Sequence, residues 1–482
     1  MRLLLKIILA IFITYSIGLS FKRYYYFSLD GDLPGIVLTV NSYKAVTQDP
    51  FGLNVIVHDS IYPATNRYFA HLSISAYFKS VPFWLQNFYK PIDSVYIACA
   101  LAKTLIQLFL IYLIALFVTN KRKFWDLDVL LVASIIIPLF QTYGYYSWMA
   151  IIDNSVTYTF FYALSISLVL LFFLPFFNSA LGRTSFNFSW LKTAILLILI
   201  IIISFDGPLN SPVILLICVS IILNYFVKNY RQLYTFPIFH RITGSIKRIP
   251  GSLISLSGIA IVVGLYSFYV GRNNSENFWE AIPISERYSR LPTGFLNEYT
   301  LKLGPPLLII AVVVNFWIIS RLKPNEEARK IISLLKWFGV LSIIYMLLLP
   351  LGGYRSYRYN IIRFDTILPI TLGLVFFYGY STFYILKHLQ KNYKMSIYVT
   401  ILVIISCVYL NANEWGHIHK NNQCERDAIE KIAASEERVV FIDRDCSVVN
   451  WVKTTDVNDS KNKSALLLYW NILKEQKTYY QK

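Results

Sequence analysis

The sequence predicts an all-α polytopic membrane protein with a small α/β unit as its C-terminal tail. Three observations lead there. Of 482 residues, 56% are hydrophobic, 17% aromatic and only 15% charged, with a mean hydropathy of +0.50, a balance foreign to soluble domains. Apolar stretches of bilayer length recur along the chain, and the last seventy or so residues abandon that pattern.

A spanning helix needs about 20 mainly apolar residues, and about eleven candidate stretches lie between polar or basic breaks. They run near Leu3 to Leu19, Ser94 to Val118, Val129 to Tyr143, Val156 to Phe177, Leu191 to Ile203, Pro212 to Phe226, Leu253 to Tyr269, Pro305 to Ile319, Ile332 to Leu349, Ile367 to Leu386 and Ile397 to Leu410. The first pairs Arg2 with an apolar core. It offers only Ser16-Ile17-Gly18 and Gly18-Leu19-Ser20 as small-x-small triplets and no Ala-x-Ala, so an uncleaved first span is favoured over a signal peptide. The predicted organisation is a membrane domain over 1–410, carrying an external loop over 22–91, and a soluble tail over 411–482.

Orientation follows from Lys and Arg in the short loops. The breaks at Lys121 to Lys123, Arg183 to Lys192, Lys228 to Arg248, Arg321 to Lys330 and Lys387 to Lys394 are basic and alternate along the chain, which assigns them to the cytoplasm. The breaks around Gln141 to Ser155 and Ser204 to Ser211 lack Lys and Arg and hold Asp153 and Asp206. With about eleven spans, the N-terminus is inside and the tail outside, as in a multi-pass protein of a bacterial cytoplasmic (inner) membrane. Much of the +18 net charge flanks spans on the cytoplasmic face. Topology and anionic headgroups account for it, and no nucleic-acid partner is called for.

Four regions outside the spans are more than connectors. Lys22 to Pro91 contains two partly amphipathic stretches, Leu33 to Ala45 and Arg67 to Phe88, expected as interfacial helices. Gly271 to Gly304 is polar, with Glu276, Glu280, Glu286, Arg287 and Arg290. Leu351 to Thr366 gathers Arg355, Arg358 and Arg363 on the side where positive charge is normally depleted. In the tail, a helix is expected from Glu425 to Ser435, a strand at Val439 to Ile442 and a helix through SALLLYWNILKEQ. Cys99, Cys218 and Cys407 lie in spans as packing residues, whereas the external Cys424 and Cys446 are a disulfide candidate. No CxxC or His-rich spacing for a structural zinc occurs.

The chemistry-bearing residues come from distant segments but one predicted side. A carboxylate able to take a proton from a hydroxyl, opposed by guanidinium groups that hold a phosphate, is the minimum for moving a group from a lipid phosphate. Asp30, Asp32 and Asp153 are the candidate catalytic acids. Arg355, Arg358, Arg363, Arg67 and His71 are the candidate phosphate-binding residues. Each has a structural alternative: a turn or helix cap at Asp30-Gly31-Asp32 with Asp32 capping the next helix, a cap at Asp153, a pair with Asp365 for the arginines, and an interfacial polar residue at His71.

With SLDGD directly after the first span, SWMAIIDNS between spans three and four, a loop with interfacial helices and a soluble tail, the chain resembles the GT-C superfamily of membrane glycosyltransferases. The resemblance covers the whole chain in architecture and a handful of residues in motif, and the tail lacks the WWDYG-like signature of oligosaccharyltransferases. It implies a polyprenyl-phosphate sugar as donor, a cell-envelope glycan or lipid as acceptor, membrane lipid as surroundings, and displacement at the sugar C1 with Asp30 or Asp32 as base. It leaves a divalent metal requirement open, and nothing in the chain calls for another cofactor. The competing readings are an envelope-glycan polymerase or ligase run by the arginines, a lipid or solute transporter without covalent chemistry, and a scaffold presenting the tail. The spans hold no acid and only Lys103 and Lys336 well inside, and no fixed-period repeat is apparent. Both observations weigh against transport.

Overall fold

The computed structural model describes residues 2–141, 149–183, 185–186, 188–278, 282–322, 325–390, 393–411 and 422–482. Among them, nine helices are long and apolar enough to cross a bilayer: Arg2–Tyr25, Pro91–Thr119, Val156–Ala180, Asn210–Gln232, Gly251–Gly271, Gly304–Arg321, Glu326–Leu351, Leu368–His388 and Tyr393–Asn411. The protein is thus a helical, multi-pass membrane protein. The third and fifth expected spans are helices too, but Leu127–Phe140 and Trp190–Ser204 fall short of spanning length. Pro138 tightens the end of the first into a 3-10 turn, because proline cannot donate to the helical ladder, and the expected extension through Tyr143 lies outside the described residues. Phe205-Asp206-Gly207-Pro208 ends the second. Glu280 also lies outside the described residues.

Pro91–Thr119, Val156–Ala180 and Leu368–His388 are the most buried spans and form the centre of the bundle, while Arg2–Tyr25 and Tyr393–Asn411 are peripheral. Apolar side chains such as Leu3, Ile11, Ile397 and Ile404 stay exposed, as lipid-facing surfaces require. A buried polar cluster ties Gly304–Arg321 and the peripheral Tyr393–Asn411 to the central Leu368–His388: Asn315 donates to Ser381 and Thr382, and Tyr398 donates to Asn315 Oδ1 at 2.8 Å.

The segment after the first span is more folded than two interfacial helices. It forms five short ones: Leu33–Val37, Asn41–Gln48, Leu53–His58, Tyr68–Phe78 and Val81–Leu85. Thr39, at φ 52°, breaks the first expected stretch, since a left-handed residue cannot continue a helix. In the second stretch, Tyr68–Phe78 buries Ala70, His71, Ile74 and Phe78, so it is a packed element of this layer.

In the tail, helix Gln423–Ala434 is followed by strand Val439–Ile442, helix Lys461–Tyr469 and a second strand, Thr478–Gln481. The two strands pair in parallel, with Val439 opposite Thr478. The last helix stops short of the expected Gln476: Asn471 turns into the left-handed region at φ 59°, releasing the chain to return beside Val439. The second strand escapes the sequence pattern because Thr-Tyr-Tyr-Gln lacks the aliphatic run of the equally short Val439–Ile442. Cys424 and Cys446 are disulfide-bonded, with Cα atoms 6.2 Å apart.

The tail is bolted to the first loop and to the top of the bundle. Trp470 is fully buried and donates its Nε1–H to Phe78 O at 3.1 Å. Arg426 pairs with Asp93 at 2.7 Å, and Asn422 donates to Tyr25 O at 2.8 Å. The carboxylate of Glu425 accepts from Leu29 N at 2.9 Å, Tyr96 OH at 2.8 Å and Val449 N at 2.8 Å.

Candidate functional site

The loops at this end of the bundle converge on one polar cluster. Tyr62 N donates to Asn273 O, and Ser275 N donates to Tyr62 O at 3.1 Å, which lays the approach to Arg67 along residues 271–278. Gly353 meets the same segment so closely that a Cβ there would sit 1.9 Å from Asn277 Oδ1. Residues 149–155 reach the cluster through Ser155, and the tail reaches it through Trp451.

Asp30 is the most heavily bonded acid. Its Oδ1 accepts from Asp32 N at 3.2 Å, Leu33 N at 3.2 Å and Thr157 Oγ1 at 2.9 Å, and its Oδ2 from Ser155 Oγ at 2.7 Å and Thr157 N at 3.1 Å. Five donors saturate a carboxylate, which has about four lone-pair sites. Asp30 therefore ties the start of Leu33–Val37 to the start of Val156–Ala180. The expected cap at Asp32 is corrected: Asp32 occupies the N-cap position but its side chain makes no capping bond.

Asp32 is left available. Its Oδ1 accepts a long hydrogen bond from Trp451 Nε1 at 3.4 Å, and its Oδ2 has no protein partner among the described residues. Burial, reinforced by the charges of Asp30 and Glu276 and opposed by Trp451 and Arg358, pushes its pKa up to about 6. Asp153 lies across Ser155 from Asp30. Its Oδ1 accepts from Ser155 N at 2.8 Å and its buried Oδ2 is unpartnered among the described residues. Burial raises its pKa to about 7, against the pull of the Ser155 N–H and Lys103. Lys103, buried in its span, donates to Asn154 O and lies 4.5 Å from the Phe27 ring centroid, so it puts a cation beneath the acids.

The guanidinium groups differ sharply in how they are used. Arg363 is consumed: Nε and Nη2 donate to Asp365 at 2.9 and 3.1 Å, and Nη1 donates to Asn360 O at 2.8 Å. Arg358, nearly fully buried, shares the same Asp365 and lies over the Tyr158 ring at 4.9 Å. Despite its burial, the two arginines hold the Asp365 carboxyl well below the usual range. Arg355 pairs with Glu276 at 2.5 Å and donates to Tyr357 OH at 3.2 Å.

Arg67 is the exception. It is only 7% exposed, and among the described residues its Nε has no partner and no carboxylate pairs with it. Its guanidinium lies 5.7 Å from the centroid of the Phe161 ring, and the charge of Glu276, at longer range, favours its charged form. Burial, then the neighbouring charge of Arg355, lowers its pKa. His71 stands beside it between Tyr43 and Phe161, with ring centroids 5.0 and 5.2 Å away, and its buried Nε2 is also unpartnered. Burial and Arg67 bring its pKa down to about 3, so His71 offers a neutral hydrogen-bonding ring and no charge.

Below the cluster an apolar cavity of about 380 Å³ runs along the bundle, from Ile166, Tyr345 and Ile370 to Phe177, Ala180 and Asn224. Tyr345, at its near end, donates to Thr366 O at 2.9 Å, next to Asp365.

Sequence reasoning missed Tyr158 and Trp451. A π-helical segment, Thr159–Leu164, follows the first turn of the third long span, and such bulges frequently mark functional sites, but no composition signal announces one. Among the described residues no group of three or more His, Cys, Asp or Glu side chains is placed to hold a metal ion. No family model matches the chain, and no curated protein matches it with significant similarity.

Proposed function

We propose that the protein is a glycosyltransferase that moves a sugar from a polyprenyl-phosphate carrier to a cell-envelope glycan or lipid acceptor, at the extracytoplasmic face of the membrane. The observation that carries this reading is Arg67: a buried guanidinium that no carboxylate pairs with among the described residues, next to the second cation Arg355. A buried charge is costly unless something compensates it, and an anionic headgroup on an apolar tail supplies the missing charge.

In this mechanism Arg67 holds the donor phosphate, Arg355 is shared between Glu276 and that phosphate, His71 donates or accepts a neutral hydrogen bond to it, and the cavity takes part of the isoprenoid chain. The acceptor hydroxyl oxygen attacks C1 of the sugar and the C1–O bond to phosphate breaks. The hydroxyl proton passes to Asp32 Oδ2, and polyprenyl phosphate leaves. The arginines stabilise the charge that grows on the leaving phosphate, on the far side of an oxocarbenium-like centre from the base. Asp30, with its oxygens saturated, holds the scaffold, and Asp153 adds to the local field.

The test is Asp32→Asn, assayed for sugar transfer from a polyprenyl-phosphate donor by membranes with matched expression. Loss of transfer by about 10²–10⁴-fold is expected; wild-type transfer would remove the base. A second reading, a polymerase or ligase driven by the arginines, is favoured by the saturation of Asp30. It predicts that Arg67→Gln and Arg355→Gln abolish transfer while Asp32→Asn does not.

A further inference from the structure

Trp451 reaches the cluster from the tail, 419 residues beyond Asp32. It is half-exposed, yet it is held from three sides. Its indole stacks on Tyr158, with ring centroids 5.3 Å apart and planes 19° apart. Its Nε1–H goes to Asp32 Oδ1. Beneath it, Gly31 leaves room that no other residue would: a Cβ there would lie 2.7 Å from Trp451 Cδ1 and 2.9 Å from Asn450 Oδ1. An interfacial-belt tryptophan presents its N–H to headgroups and water. This one spends it on a carboxylate.

The loop that carries it is fixed by unusual means. Val449 is fully buried with φ 47°, a conformation rare for a β-branched residue that persists only when the surroundings impose it. Its N–H is bonded to Glu425, which also holds the N–H of Leu29, one residue before Asp30. One buried carboxylate therefore sets both the strand of chain that delivers the indole and the one that delivers the acids. The disulfide from Cys424 to Cys446 closes the same frame from behind.

We infer that the C-terminal unit is part of the reaction centre and that Trp451 is its positioning residue: the indole N–H holds Oδ1 of Asp32 so that Oδ2 faces the acceptor hydroxyl. This rests on the transferase reading of the same site. Each residue of Asp30-Gly31-Asp32 then has its own part, since the first ties two helices, the second admits the indole and the third takes the proton.

The carboxylate of Asp32 is surrounded by Asp30, Tyr43, Tyr158, Glu276, Arg358 and Trp451. Of these, the Trp451 N–H and Arg358 favour its charged form, so removing the N–H raises the pH at which Asp32 ionises. The experiment uses full-length Trp451→Phe, which keeps an aromatic stack and loses the N–H, and Gly31→Ala, which leaves Trp451 intact and pushes it away. Two readouts are taken on detergent-purified protein. One is an infrared titration of the protonated carboxyl band that Asp32→Asn removes, which needs no substrate. The other is the pH profile of transfer with donor KM measured separately.

Both variants are expected to move the Asp32 titration and the acid limb of the profile to higher pH, and to lower kcat about tenfold with donor KM unchanged. An Asp32 titration unmoved in both variants would overturn the proposal, as would a loss of kcat with no change in the pH profile. If the infrared band responds while the wild-type protein transfers no sugar, the transferase reading falls and the indole–carboxylate pairing stands.

Discussion

Replacing Arg67 with methionine tests whether this guanidinium serves a ligand or the fold. The side chain is 7% exposed, has an unpartnered Nε, lies against Phe161 and shares its surroundings with a second cation, Arg355. The more distant charge of Glu276 offsets only part of the loss of water around the cation, whose pKa is lowered on balance. Exchanging buried ionic groups for apolar ones of similar volume is often neutral or stabilising by about 1–4 kcal/mol, so Arg67→Met is expected to raise the stability of the ligand-free protein. The donor loses in the same exchange. A charge-assisted hydrogen bond contributes about 1.5–3 kcal/mol, and at about 1.4 kcal/mol per tenfold that weakens donor binding roughly 10- to 150-fold. The assay is thermal melting in detergent with and without polyprenyl phosphate. The wild-type melting temperature rises with ligand, as binding to the native state requires. The variant starts higher and needs roughly 10- to 150-fold more ligand for the same rise. A variant that melts below the wild type without ligand, or that keeps the full ligand response, would refute the reasoning.

Asp30→Ala strips an acceptor from five donors and is expected to cost about 3–5 kcal/mol, read as loss of folded protein on expression, whereas Asp32→Asn folds at wild-type levels. Transfer is expected to fall about tenfold per pH unit below about 6, the pKa to which Asp32 is raised from 3.8, because only the ionised form takes a proton; a pH–rate profile flat down to 5 would contradict it. For stability the sign is reversed: the fold favours protonated Asp32, so its contribution is fully present below about 3.8 and is lost as pH rises through about 6. Gly353→Ala is expected to disturb the loop around Arg355 by collision with Asn277 and to lower transfer, and Asn277→Ala in the same chain is expected to restore it; no restoration would show that the close approach is not the cause.

The membrane helices were legible because their signal is collective: a run of about 20 apolar residues outvotes any single break. The layer over 26–90 was less so, since its five short helices are set by individual events such as the left-handed turn at Thr39 and the prolines at 34 and 82. For the site, residue types were readable and roles were not. Asp30 and Asp32 are chemically identical and one residue apart. What separates them is Ser155 and Thr157, more than a hundred positions away, which saturate one carboxylate and leave the other. The three arginines of 355–363 looked equivalent for the same reason, until Asp365 claimed Arg358 and Arg363, and Glu276 claimed Arg355. Arg67 stands out only by what fails to approach it, which no pattern records.

The contacts that Glu425 and Trp451 make with Leu29 and Asp32 span 396 and 419 positions of chain. A ribosome threading this protein into a bilayer finishes the first helix and its acidic loop long before the residues that complete them exist. Those acids wait through every later insertion with their buried partners missing. The buried partners of Leu29 and Asp32 therefore arrive late in synthesis, when the tail folds back onto the loop made first, and a chain halted anywhere before that step is a membrane-inserted bundle whose first loop lacks them.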